Sequence, residues 1–125
     1  MDILNIAGTE DTPSIILNNE TNEYIFSGRS LPEDVTTFYH PVIEWISAFS
    51  ENPTKGAKFN FKLEYFNTAS SKILLDILMQ LEEINDAADA GFTIVWHYQD
   101  SDPDMQEAGE EYADIVSIPF EFVNY

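Results

Sequence analysis

Six consecutive residues, Asn67-Thr68-Ala69-Ser70-Ser71-Lys72, bring together one amide, three hydroxyls and one ammonium group. Asn67 or Thr68 can cap a helix, and Ser70 or Ser71 can offer further oxygens to the free N–H groups of its first turn. Those same N–H groups and the positive end of the helix dipole also favour an anion. Lys72 opposes the dipole, at a cost of a few tenths of a kcal/mol. It follows Thr68 by one helical turn, so both sit on one face. A phosphate on Thr68 would carry about −1.5 to −2 and find Lys72 and the helix N–H groups as partners. The plainer alternative stays open on local physics: the hydroxyls only cap, and Lys72 pairs with Asp76, its i+4 neighbour.

Other groupings are weaker. Asp100, Asp102 and Asp104 alternate, and Glu111 falls where a calcium loop would place its last ligand. Met105, however, holds the position that needs glycine, and Pro103 stiffens the loop. A solvated acidic loop is the better account. His40 and His97 are the only histidines. His97 ends an apolar run and reads as a half-buried sheet residue; His40 precedes Pro41 and reads as a cap. Ser71, His97 and Asp100 make a triad only on paper, since no nucleophile-elbow motif supports it. The chain has no cysteine, which excludes thiolate zinc sites and disulfides. Its five glycines form no phosphate loop. No catalytic residue, metal set or cofactor site stands out.

The elements that must position the hydroxyl segment alternate strand and helix. Ser14-Ile15-Ile16-Leu17 and Glu23 to Gly28, joined by the turn-rich stretch Asn18 to Asn22, predict a β-hairpin. Ser30-Leu31-Pro32-Glu33 suggests a helix start capped by Ser30. Val35, Phe38, Val42, Trp45, Ile46 and Phe49 follow at helical spacing, with Pro41 either kinking that helix or starting it. Lys58 to Phe66 is the cleanest strand, with Phe59, Phe61, Leu63 and Tyr65 on one side. Leu74, Ile77, Leu78, Leu81 and Ile84 mark the next helix, which Gly91 would end. Phe92 to Tyr98 predicts a buried strand, Asp100 to Asp114 a short helix, and Val116 to Val123 a last strand that Pro119 places at an edge. Strand–helix–strand crossovers imply parallel pairing. The expected product is one α/β domain over residues 1–125, with a mixed sheet of four or five strands and helices mainly on one face.

Composition narrows the partners. The 125 residues are 44% hydrophobic and 14% aromatic, enough for a packed core. Five Lys+Arg oppose 23 Asp+Glu, a net charge of −18. Such a field repels nucleic acid and anionic lipid and speeds encounter with basic proteins. The first five residues lack the basic start of a signal peptide, and no apolar run approaches the ~20 residues of a membrane span. A soluble, cytoplasmic protein is expected.

The stretch from Tyr65 through Asn67-Thr68-Ala69-Ser70-Ser71-Lys72 to Leu78 resembles the signature of the SiaC family of bacterial regulatory phosphoproteins. A second match runs from Gly28-Arg29-Ser30-Leu31-Pro32-Glu33-Asp34 through Phe38-Tyr39-His40-Pro41 to Trp45. The order is right, and the resemblance spans nearly the whole chain. It implies a STAS-like fold similar to anti-sigma-factor antagonists, and a phosphoacceptor threonine at Thr68 supported by Asn67, Ser70, Ser71 and Lys72. It also implies partner switching: a cognate kinase adds the phosphate, a PP2C-like phosphatase removes it, and one form binds an effector such as a diguanylate cyclase, with effects on cyclic di-GMP and biofilm formation. Ala69 stands where other members often carry a further small or hydroxyl residue, which leaves Thr68 unaffected. A small-molecule or metal-binding module of the same fold is the alternative.

Overall fold

The computed structural model describes residues 2–125. Its sheet has six strands, β1 (Leu4–Ile6), β2 (Ser14–Asn18), β3 (Glu23–Ser30), β4 (Lys58–Phe66), β5 (Thr93–Tyr98) and β6 (Phe120–Asn124), in that spatial order. The helices are α1 (Val35–Phe49), α2 (Thr68–Ala88) and α3 (Pro103–Ile115). β1, β2 and β3 pair antiparallel; β3 through β6 pair parallel. The expected four or five strands become six. The extra one, β1, is only three residues long and too short to show alternation. It is held by β2 and by the Trp45 indole N–H, which donates to the Asp2 carbonyl at 2.7 Å.

Three successive crossovers of one hand across neighbouring parallel strands put α1, α2 and α3 on the same face of the sheet. The burial pattern agrees. Ile15, Leu17, Tyr24, Phe26, Phe59, Phe61, Ile94 and Trp96 are buried at alternate strand positions, while Ser27, Lys62 and His97 on the other face are not. Phe26, Phe61 and Trp96 stack across β3, β4 and β5, with centroids 4.5 and 5.8 Å apart. The aliphatic stripe of α2, Leu74, Ile77, Leu78, Leu81 and Ile84, closes over this layer as its spacing predicts.

Several local expectations are corrected. Ser30 does not cap α1. It is the last residue of β3 and is fully buried, while Asp34 caps α1 by accepting from the Thr37 amide at 3.2 Å. Pro41 does not start α1, which begins at Val35; it lies inside the helix on the exposed side, where the missing amide bond faces solvent. His40 is not a cap but an exposed helical residue paired with Glu44 at 3.0 Å. Tyr65 does not share the side of Leu63. Leu63 pairs with Gly28 and Tyr65 with Arg29, so Glu64 is an extra residue in the ladder and inverts the alternation beyond it. Tyr65 is 45% exposed and Phe66 turns to the core instead. At the end of α2 the left-handed position is taken by Asp89 (φ 49°), with Gly91 (φ 68°) two residues further on. Val116 ends α3, and β6 begins only at Phe120, the edge position next to Pro119.

Candidate functional site

The hydroxyl segment sits at the β4–α2 junction, beside the β3–α1 junction. Parallel neighbours β3 and β4 deliver both helix N-termini to the same end of the sheet. Asn67 is the N-cap: its Oδ1 accepts the Ser70 amide at 2.9 Å and its carbonyl accepts the Ser71 amide at 2.9 Å. Thr68 is therefore the first helical residue and not the cap. It is exposed, and its hydroxyl makes no hydrogen bond among the described residues.

The two serines are engaged. Ser70 is fully buried; its hydroxyl donates to the Ser30 carbonyl at 2.9 Å and lies 2.8 Å from the Ser30 hydroxyl. Ser71 is half-buried and donates through its hydroxyl to the Thr68 carbonyl at 2.9 Å. Thr68, Ala69, Lys72 and Asp76 of α2 line one open groove with Val35 and Thr36 of α1.

Lys72 is exposed in this groove, and no carboxylate lies within 4.0 Å of its ammonium group among the described residues, so the pairing with Asp76 is not formed. The other four cations are occupied. Arg29 lies over the Tyr65 ring at 5.4 Å and Lys62 over the Tyr125 ring at 4.6 Å. Lys58 reaches Glu121 at 3.6 Å, and Lys55 donates to the terminal carbonyls of α2, Ala88 and Asp89. In a chain of charge −18, a cation without a partner beside an unbonded hydroxyl and two helix N-termini is suited to receive a dianion introduced at that hydroxyl.

The acidic loop is built for another purpose. Asp102 caps α3, accepting the Met105 amide at 3.1 Å, and Asp100 accepts from the Asn124 side chain. Among the described residues no group of three or more His, Asp or Glu side chains is placed to hold a metal ion. Ser71, His97 and the Asp100 carboxylate are not joined: the His97 ring contacts Asn60 Oδ1 at 3.0 Å on the open sheet face. Burial lowers the His97 pKa, helped by Lys62 and opposed by Glu121. Among the described residues no helix is long and apolar enough to cross a membrane.

Sequence reasoning did not connect the residues behind the site to the Thr68 turn. Ser30 lies 2.6 Å from the Tyr39 hydroxyl, and Tyr112 of α3 donates to the Ser71 carbonyl at 2.8 Å. Tyr39 fell outside the helical stripe read from the sequence. No local pattern links Ser30 to a residue forty positions on.

Comparison with known proteins gives the same fold and a consistent family. The SiaC of Pseudomonas aeruginosa superposes with a TM-score of 0.89 at 30% identity over the whole of both chains. A crystal structure of the diguanylate cyclase SiaD in complex with its activator SiaC, from the same organism, contains a chain that matches with a TM-score of 0.90 at 30% identity, covering 98% of this chain and 99% of that one. An uncharacterised protein of Pseudomonas aeruginosa strain UCBPP-PA14 is 31% identical over 120 residues, 96% of this chain and 94% of the relative. The model of the SiaC family of regulatory phosphoproteins matches residues 6–125, and the chain belongs to that family.

Proposed function

We propose that this chain is a non-enzymatic signalling protein, one domain over residues 1–125, switched by reversible phosphorylation of Thr68. The observation that carries this reading is the contrast within one helical turn: Thr68 offers an exposed, unbonded hydroxyl beside a partnerless Lys72, while Ser70 and Ser71 are committed to hydrogen bonds. A cognate ATP-dependent kinase and a PP2C-like phosphatase supply the chemistry, so the chain needs no catalytic group of its own. Asn67 fixes the turn through the Ser70 amide, and Lys72 meets the added charge.

The effector proposed is a diguanylate cyclase, bound and activated by the unphosphorylated form. The solved complex of the Pseudomonas aeruginosa relative with its cyclase supports this class of partner. The groove around Thr68 mixes apolar Val35, Ala69 and Ile73 with few charges. A phosphate there adds bulk and about −1.5 to −2 of charge to a surface already strongly negative, which opposes docking of any partner that packs apolar or acidic groups against the spot. The strong acidic field favours an effector whose contact surface is basic away from Thr68.

The test compares Thr68→Ala and Thr68→Asp with the wild type. Thr68→Ala loses phosphate incorporation by the cognate kinase and keeps effector binding; Thr68→Asp binds the cyclase at least tenfold more weakly, about 1.4 kcal/mol. A Thr68→Ala chain that still accepts phosphate at the wild-type rate would sink the assignment, as would undiminished binding by Thr68→Asp.

A further inference from the structure

The first turn of α2 is held from both sides. From β3, the Ser30 carbonyl accepts the Asn67 amide at 3.2 Å and the Ser70 hydroxyl at 2.9 Å. From α1, the buried Tyr39 hydroxyl contacts the Ser30 hydroxyl at 2.6 Å, and that hydroxyl contacts Ser70 at 2.8 Å. From α3, the Tyr112 hydroxyl donates to the Ser71 carbonyl at 2.8 Å. Burial pushes Tyr39 up to about 12, against the pull of its contact with Ser30, and raises Tyr112 as well. Both phenols thus keep their protons at neutral pH.

We infer that Tyr39, acting through Ser30, and Tyr112 are positioning residues that select Thr68 as the acceptor among the three hydroxyls of the turn. The inference rests on the phosphoprotein reading above and adds how the site is chosen. In the transfer, the Thr68 oxygen forms a bond to the γ-phosphorus of ATP, the bond to the ADP oxygen breaks, and the hydroxyl proton passes to a base on the kinase. That needs an acceptor oxygen held in line and reachable by the kinase. Ser70 fails on reach, because it is fully buried. Extracting it would open the turn and strip the buried Ser30 hydroxyl and carbonyl of their Ser70 partner. Ser71 is reached only by giving up its bond to the Thr68 carbonyl. Thr68 alone presents its oxygen at no such cost, on a backbone fixed at Asn67, Ser70 and Ser71.

The test is phosphate transfer from ATP by the kinase that modifies this chain, with products mapped by tandem mass spectrometry. Full-length wild type is compared with Thr68→Ala, Tyr39→Phe, Tyr112→Phe and a distant core control, Leu81→Val. Amide hydrogen exchange over residues 66–72 is read on the same proteins before modification. The expected wild type carries phosphate on Thr68 only, and Thr68→Ala carries none on Ser70 or Ser71. Each tyrosine variant exchanges severalfold faster in the turn and shows a severalfold lower kcat at Thr68 with KM for the chain unchanged. Leu81→Val changes neither. Modification of Ser70 or Ser71 in Thr68→Ala at close to the wild-type rate overturns the selection together with the Thr68 assignment, leaving only a chain phosphorylated somewhere in this turn. Unchanged exchange and kcat in both tyrosine variants overturn the positioning role. A wild-type chain with no phosphate on any of the three hydroxyls overturns the reading and the selection together.

Discussion

An exposed hydroxyl without a hydrogen bond contributes little to stability, whereas a cap satisfies a backbone amide. Thr68→Ala should therefore leave the unfolding free energy within about 0.5 kcal/mol of wild type. Asn67→Ala should cost about 1 kcal/mol, because it strips the Ser70 amide of its acceptor. Urea unfolding of the two variants checks the order, and a larger loss for Thr68→Ala would show an interaction of its hydroxyl that the structure lacks. His97 supplies a pH dependence. Its folded pKa is lowered, chiefly by burial. Above the ordinary value of 6.5 both states are neutral and it contributes nothing; as pH falls below that, the unfolded chain binds the proton more readily and stability is lost. The expected result is a melting temperature that drops between about pH 7.5 and 5.5 in wild type and drops less in His97→Gln. The cap could be narrowed to Asn67 or Thr68 from the sequence because capping is a local effect, decided by three or four neighbouring residues. The Tyr39–Ser30–Ser70 chain could not, because its contacts span α1, β3 and α2 and exist only after the sheet brings them together.

Close packing between α3 and β5 depends on one glycine. A Cβ on Gly109 would lie 2.4 Å from Cδ1 of Trp96, an indole that is itself fixed by donating to the Met105 carbonyl at 2.9 Å. Alanine gains about 1 kcal/mol of helix propensity. The clash with a rigid, buried ring costs about 1–3 kcal/mol or more, so Gly109→Ala should be net destabilising. A melting temperature at or above wild type would show that α3 can lift off β5 without loss. Long elements with a clear period, α2 and β4, were legible because their spacing repeats over several turns or pleats. Short or interrupted ones were not. β1 has three residues. The true cap of α1, Asp34, competed with a Ser-x-x-Glu pattern at Ser30, and only the pairing of Ser30 with Phe66 at the end of the β3–β4 ladder decided between them. The bulge at Glu64, which exposes Tyr65, has no sequence signal because strand alternation continues through it.

The whole molecule carries −18, yet among the described residues only Lys58–Glu121 brings a lysine or arginine within 4.0 Å of a carboxylate. Self-repulsion therefore outweighs ion pairing in its response to salt. Raising ionic strength from about 0.01 to 0.15 M shortens the screening length from about 30 to 8 Å and should raise the melting temperature. A fall would mean that attractive pairs dominate. The order of the strands has a further consequence for how the chain is made. Each strand pairs only with those before and after it in the sequence. During synthesis every emerging strand finds its partner already at the edge of the growing sheet, with no later segment to wait for. The exception is the turn at Thr68. Tyr112, the residue that clamps the Ser71 carbonyl, is synthesised about forty residues afterwards. A nascent chain halted within α2 would thus display the threonine in a loose turn, and the acceptor geometry would be completed only when α3 leaves the ribosome and docks.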